Sequence, residues 1–361
     1  MRILIVDTCY PAFLEAHYER AHGLDEREYT VQWRSLMDTF FGTADSYSHF
    51  LAQNGHVAHE LVVNCEPVQS AWAREHKRRL RGRSFGRTRR PRTGDVVLAQ
   101  AEEFGPDVVY AQNLSALPVD VLRQLRARSR LLVGQVASEL PEREQLEPFD
   151  LILTSFPHYV ARLRALGIAS EYFRIGFDPR ILDRLGAPVL SRDAVFVGSL
   201  GRGQHPRGND LLERAARRVP IEFWGPGAEE WPDDSPIKTG HRGEAWGMEM
   251  FRVLAESRVA INRHIDVAED FANNMRLYEA TGVGTLLITD AKRNLADLFQ
   301  PGVEIETYAD DSELAEKVAY YLNHEDERAR IAAAGQRRTL ADHTYARRMA
   351  ELETILARYL S

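Results

Sequence analysis

Cysteine is scarce in this chain: Cys9 and Cys65 are its only two, far apart and without the spacing of metal ligands. That excludes a disulfide-stapled scaffold and points to a reduced, cytoplasmic setting. Long apolar runs are missing too, and nothing approaches the roughly 18–20 residues of a membrane span. The opening MRILIVD enters a strand at once and leaves no room for the apolar region of a signal peptide. Three motifs are absent: the P-loop Gly-x-x-x-x-Gly-Lys-Ser/Thr, the Gly-x-Ser-x-Gly nucleophile elbow and the dinucleotide fingerprint Gly-x-Gly-x-x-Gly. Their absence excludes the enzyme classes built on them. What is there is a chain of 361 residues, 44% hydrophobic and 27% charged, the balance of a soluble protein too long for one ordinary core.

The net charge of −7 is uneven. The segment Arg74–Arg92 holds ten Lys/Arg and one Glu, a local +9 that leaves −16 on the rest. An acidic body excludes a general nucleic-acid binder, whose footprint is a basic face. The segment reads as a surface loop, either merely solvated or meeting an anionic acceptor, a phospholipid surface or another protein. Contact with such a surface would place a cytoplasmic protein peripherally at the inner membrane face.

Short runs rich in Val, Ile and Leu recur: Ile3–Val6, Leu61–Val63, Val108–Ala111, Leu131–Gly134, Leu151–Thr154 and Tyr172–Ile175. A second series follows at Val195–Gly198, Ile221–Trp224, Val259–Asn262 and Thr285–Thr289. Such runs are parallel strands buried on both faces. Helical stripes lie between them. Leu36, Phe40, Ala44, Tyr47 and Leu51 form one, broken at Gly42-Thr43, and Leu314, Val318, Tyr321 and Leu322 form another. The pattern predicts an α/β fold of two Rossmann-like, doubly wound parallel-sheet domains facing across a cleft. The boundaries are 1–178 for the first domain and 179–342 for the second. A terminal helix within 343–361 is placed to return to the first domain. Ligands of such sheets bind beyond the carboxyl ends of the strands, so the loops there are the place to search.

The richest stretch is Asn273 to Gly284. Asn273 and Asn274 are good cap residues, so a helix starting there offers free N–H groups suited to a diphosphate. Met275 lies beside them. Arg276 adds a fixed positive charge, and Glu279, three residues on, has a carboxylate able to accept both hydroxyls of a ribose. The same spacing equally describes a surface Arg–Glu pair. Earlier, Val195–Gly203 ends a strand in a glycine turn carrying Gly198 and Ser199, followed by His205 and Arg207 at the start of a helix. His241 and Arg242 lie in a loop of the same sheet, and Asn262, Arg263 and His264 end another strand. In the first half, Asp7, Tyr10, Thr43 and Asp45 are candidates to line the cleft. Glu139 and His158 also fall at strand ends. Asp7, Asp45, Glu139 and His158 are candidate general bases.

The stretch Phe271–Asp290 resembles the donor site of group 1 glycosyltransferases, especially the spore-maturation-type (CgeB-like) family, in its pattern of Asn, Arg, two residues, Glu and Ala-x-Gly. The resemblance extends over about 180 residues, through Ala260-Ile-Asn-Arg-His264, Asn294–Gly302, Tyr320-Tyr-Leu, Ala333–Gln336 and His343-Thr-Tyr345. It implies the GT-B fold, with Glu279 holding the ribose, Arg276 near the phosphates or the sugar, and Arg207 facing the diphosphate. It implies transfer of a sugar from a nucleotide-diphosphate donor to a saccharide, lipid-linked or protein acceptor, with retention of configuration. One position departs: where many retaining relatives carry a second glutamate, this chain has Phe271, and Glu269, Asp270 or Asn273 would have to substitute. No Asp-x-Asp is present, so neither a metal nor another cofactor is expected. A non-hydrolysing sugar-nucleotide epimerase and a non-catalytic nucleotide-binding scaffold are the alternatives.

Overall fold

The computed structural model describes residues 1–76, 93–203 and 205–361. Residues 77–92 of the basic segment lie outside them. The described chain falls into two compact units, Met1–Phe173 with Met349–Ser361, and Arg174–Arg348.

The first unit is built on six parallel strands: β1 Arg2–Asp7, β2 Val57–Val62, β3 Val108–Ala111, β4 Leu131–Val136, β5 Leu151–Thr154 and β6 Ser170–Tyr172. Their order is β2-β1-β3-β4-β5-β6. Central β1 and β3 pair Ile3 with Val108 and Val6 with Ala111, and all four side chains are buried. That burial on both faces is why their sequence reads as an unbroken apolar run. Edge strand β2 begins four residues before its apolar run because its first half is polar. Glu60 is buried within it, its carboxylate accepting from the Ser48 amide at 2.8 Å and the Ser48 hydroxyl at 2.6 Å. Between β1 and β2 run helices Pro11–Arg20, Tyr29–Met37 and Ser46–Gln53. The predicted break at Gly42 is real, with Phe40, Gly42 and Ala44 all at positive φ. The terminal helix, Tyr345–Leu360, joins this unit from Met349 onward. There the Tyr359 hydroxyl donates to Glu171, and Arg130 donates to the Leu360 carbonyl at 2.8 Å.

The second unit has five parallel strands: β7 Arg192–Val197, β8 Glu222–Trp224, β9 Ser257–Asn262, β10 Leu286–Asp290 and β11 Glu306–Tyr308. Their order is β11-β10-β9-β7-β8. Strand β11 escapes an apolar-run reading because it is a three-residue edge strand, Glu-Thr-Tyr. Its Glu306 is held by Lys317 at 2.9 Å and the Tyr321 hydroxyl at 3.0 Å. Among the described residues no helix is long and apolar enough to cross a membrane.

Candidate functional site

The carboxyl edge of the second sheet gathers most of the predicted residues. The loops after β7 and β8 lie backbone to backbone. The Gly198 amide donates to the Trp224 carbonyl at 2.9 Å, and the Leu200 amide to Pro226 at 2.8 Å. A Cβ on Gly225 would sit 2.1 Å from the Gly198 oxygen, so only glycine lets the loops approach this closely. The turn then feeds helix Pro206–Ala216, whose N-cap His205 is held at φ +66. Arg207, in its first turn, is exposed.

Beneath this turn lies Arg263, which the sequence reading named without a role. Its guanidinium donates to Asn209 Oδ1 at 2.6 and 3.1 Å and to the Ser199 carbonyl at 3.0 Å, above the Phe196 ring. It is 8% exposed, and among the described residues no carboxylate comes within ion-pair distance of it. Gly208 makes room for it, since a Cβ there would meet Arg263 Cδ at 2.4 Å. Burial lowers the Arg263 pKa from its ordinary value, against the pull of Tyr308, Asp290 and Asp266. A buried cation with only neutral acceptors is poised for an anion. The sequence signal was an arginine directly after a buried strand, but its lack of a counter-charge is invisible in one dimension.

Helix Met275–Gly282 starts one residue later than a cap at Asn273 would place it. Asn274 alone caps it, accepting from the Leu277 amide, while its Nδ2 donates to Asn262 Oδ1 at 2.9 Å and the Arg263 carbonyl at 3.1 Å. Asn273 is buried and accepts the Tyr278 hydroxyl at 2.6 Å instead. Asn262 also donates to Thr289 at 2.9 Å, so Asn262 and Asn274 lock the ends of β9, β10 and the helix together. Arg276 and Glu279 do pair, at 2.8 Å, but in the interior rather than at the surface. Arg276 also reaches the Val197 carbonyl at 3.2 Å, and its Nε is buried without a partner among the described residues. Burial raises the Glu279 pKa, and Arg276 opposes the rise. In the loops after β8, the His241 ring is held by the Gly225 carbonyl at 2.9 Å and Arg242 is exposed.

Residues 204–354 match the family model described as Glycosyl transferase-like. That match falls almost entirely within the second unit. The whole chain resembles solved GT-B glycosyltransferases. Anabaena Alr3699/HepE in complex with UDP-glucose is 14% identical, with 99% of each chain covered and a TM-score of 0.62. Sucrose-phosphate synthase from Thermosynechococcus elongatus is 13% identical over 99% of each chain, at 0.59. A glycosyltransferase from Rickettsia africae ESF-5 is 10% identical over 100% of this chain and 99% of its own, also at 0.59. At these identities the likeness establishes the fold, which is GT-B. No curated protein matches the chain.

In the other GT-B unit, Asp7 ends β1 and accepts from the Thr8 amide at 2.7 Å. It keeps some surface exposure, yet enclosure by protein pushes its carboxyl up to about 7. Thr43 donates to Gln112, which follows β3, at 2.8 Å, and the Gln112 amide returns to the Val6 carbonyl at 2.9 Å. Asp7 and Thr43 are thus brought to adjacent strand ends. Tyr10 is 65% exposed, edge-on to Phe41. Asp45 occupies the N-cap position of helix Ser46–Gln53. Glu139 is exposed beyond β4, and His158 lies in the helix after β5, packed on Phe156 and Tyr159. Strand order separates these last two from Asp7.

Proposed function

We propose that the chain transfers a sugar from a nucleotide-diphosphate donor to an acceptor hydroxyl, as a glycosyltransferase of the spore-maturation type. The carrying observation is Arg263, a buried guanidinium at the carboxyl edge of the second sheet with no carboxylate at ion-pair distance among the described residues. HepE in complex with UDP-glucose supports a nucleotide sugar as the donor. As the glycosidic bond breaks, negative charge grows on the leaving diphosphate. Arg263, Arg207 and the amides opening helices Pro206–Ala216 and Met275–Gly282 stabilise that charge, the work a metal ion does elsewhere. Glu279, aligned by Arg276, takes the ribose hydroxyls. The resemblance to retaining enzymes supports retention, with a donor phosphate oxygen receiving the acceptor's proton. A surface polysaccharide, a glycolipid or a protein fits the acceptor role.

One observation favours the inverting course instead. Enclosure that pushes the carboxyl at the end of β1 up to about 7 makes Asp7 a competent general base. The anomeric configuration of the product, read by NMR, separates the two courses. The reading as a whole is tested by incubating the protein with a panel of nucleotide sugars without acceptor. Slow release of nucleoside diphosphate is expected. Formation of a C2 epimer points to an epimerase, and failure of every nucleotide to raise the melting temperature overturns both enzyme readings.

A further inference from the structure

A donor sugar needs hydrogen-bonding partners, and at the position where a glutamate would supply one the chain has Phe271. That ring lies 4.1 Å under the Arg293 guanidinium. The neighbouring polar groups are drawn elsewhere. Asn273 Oδ1 accepts the Tyr278 hydroxyl, and Asp270 lies 3.8 Å from Arg293.

His264 differs from all of them. It follows β9, and its Nδ1 lies 2.7 Å from Asp290 Oδ1 at the end of β10. The same oxygen accepts the His264 amide at 3.0 Å and the Thr289 hydroxyl at 3.2 Å, while Lys292 stands 3.3 Å from Oδ2. Burial pushes the Asp290 carboxyl up, but the hydrogen bonds and charges of His264 and Lys292 outweigh it and hold it below its ordinary value. An ionised carboxylate can only accept, so Nδ1 carries a proton and donates it to Asp290. The other ring nitrogen, Nε2, is buried with no partner among the described residues, on a side chain 1% exposed. Leaving a buried polar atom unpaired is costly, and a site of this kind calls for a hydroxyl, which can donate or accept. The stretch leading from His264 to the capped helix holds Glu269 at φ +51, a conformation costly for a non-glycine residue and common where a segment binds or moves.

We propose that His264 Nε2 hydrogen-bonds a hydroxyl of the donor's sugar, with Asp290 as the positioning residue that holds the ring through Nδ1 and residues 265–273 yielding to admit the sugar. This rests on the donor reading above and names a contact to the sugar rather than to the nucleotide. The two are separable by calorimetry. Whichever of UDP, GDP, ADP and dTDP raises the melting temperature of the wild type is titrated alone and as its glucose conjugate. His264→Asn keeps a donor near Nδ1 for Asp290 but removes Nε2. The expected result is unchanged affinity for the bare nucleotide and a ratio of dissociation constants shifted at least tenfold against the sugar nucleotide. His264→Gln is the second variant. Its longer amide reaches the place of Nε2 and restores a hydrogen-bonding group there, so a ratio near that of the wild type is expected. A wild-type ratio in His264→Asn, equal losses for bare and sugar nucleotide, or a shift in His264→Gln as large as in His264→Asn overturns the proposal. If His264→Asn does not fold, His264→Phe, which fills the same space without Nε2, is read by the same ratio. No nucleotide binding by the wild type would sink the donor reading itself.

Discussion

A single buried charge separates the residues that hold this unit together from those that wait for a ligand. Arg276 is neutralised by Glu279 at 2.8 Å, whereas Arg263 meets only an amide oxygen and a carbonyl. Arg263→Met should therefore fold, since it removes an uncompensated buried charge. It should weaken nucleoside diphosphate binding by about 1.5–3 kcal/mol, the range for a hydrogen bond to a charged group, measured by calorimetry. Glu279→Gln behaves differently. It leaves Arg276 buried and unpaired, and breaking a buried pair costs about 3–5 kcal/mol. Its melting temperature should fall, and the double variant with Arg276→Met should regain most of the loss without regaining nucleotide affinity. If the double variant stays as unstable as the single one, the pair is not the structural unit described. The spacing of Arg276 and Glu279 was legible in the sequence as a helical neighbour pair, but its burial was not, because burial depends on Val197 and Met250 arriving from other elements.

Among the elements, the loop after β8 carries the tightest constraint. At Gly225, φ is +134, and an added Cβ would meet the Gly198 carbonyl. Gly225→Ala should cost about 1–3 kcal/mol by overpacking and depress the melting temperature. Nucleotide binding should fall with it, because the displaced partner is the turn that covers Arg263. A fully stable Gly225→Ala would contradict this packing. Helix Met275–Gly282 was legible from its asparagines, yet which asparagine caps it was not: the Tyr278 hydroxyl captures Asn273 and leaves the cap to Asn274. Strand β11 and the polar half of β2 escaped the apolar-run reading for one reason. Edge strands bury less, so their sequences need not be continuously apolar.

For the whole molecule, opposed buried titrations shape the stability. Asp7 and Glu60 are pushed up to about 7 by burial, from 3.8 and 4.5, while burial pulls His59 and His343 down to about 4 from 6.5. For the two carboxyls the folded state holds its proton longer than the unfolded chain, so their contribution declines as pH rises from about 4 to about 7. For the two histidines the folded state resists protonation, so stability is lost as pH falls from 6.5 towards about 4. Asp7→Asn should equal the wild type near pH 4 and exceed it at pH 8. Because Asp7 keeps some exposure, the gain is about 1–3 kcal/mol rather than the full value of its shift. Urea titrations at the two pH values check this, and an equal difference at both would remove Asp7 from the account.

By itself, the sequence determined the two series of parallel strands, the break at Gly42 and the helix that carries Arg276 and Glu279. These follow from apolar periodicity, glycine and capping chemistry, which act over a few residues. Only the tertiary structure decided which charges are compensated. It brought β7 and helix Pro206–Ala216 to Arg263 without a carboxylate, and it set His264 against Asp290 from the next strand, leaving Nε2 open. Counter-charges and hydrogen-bond partners come from residues 26 to 64 positions away in these cases, so no local pattern records whether they are present.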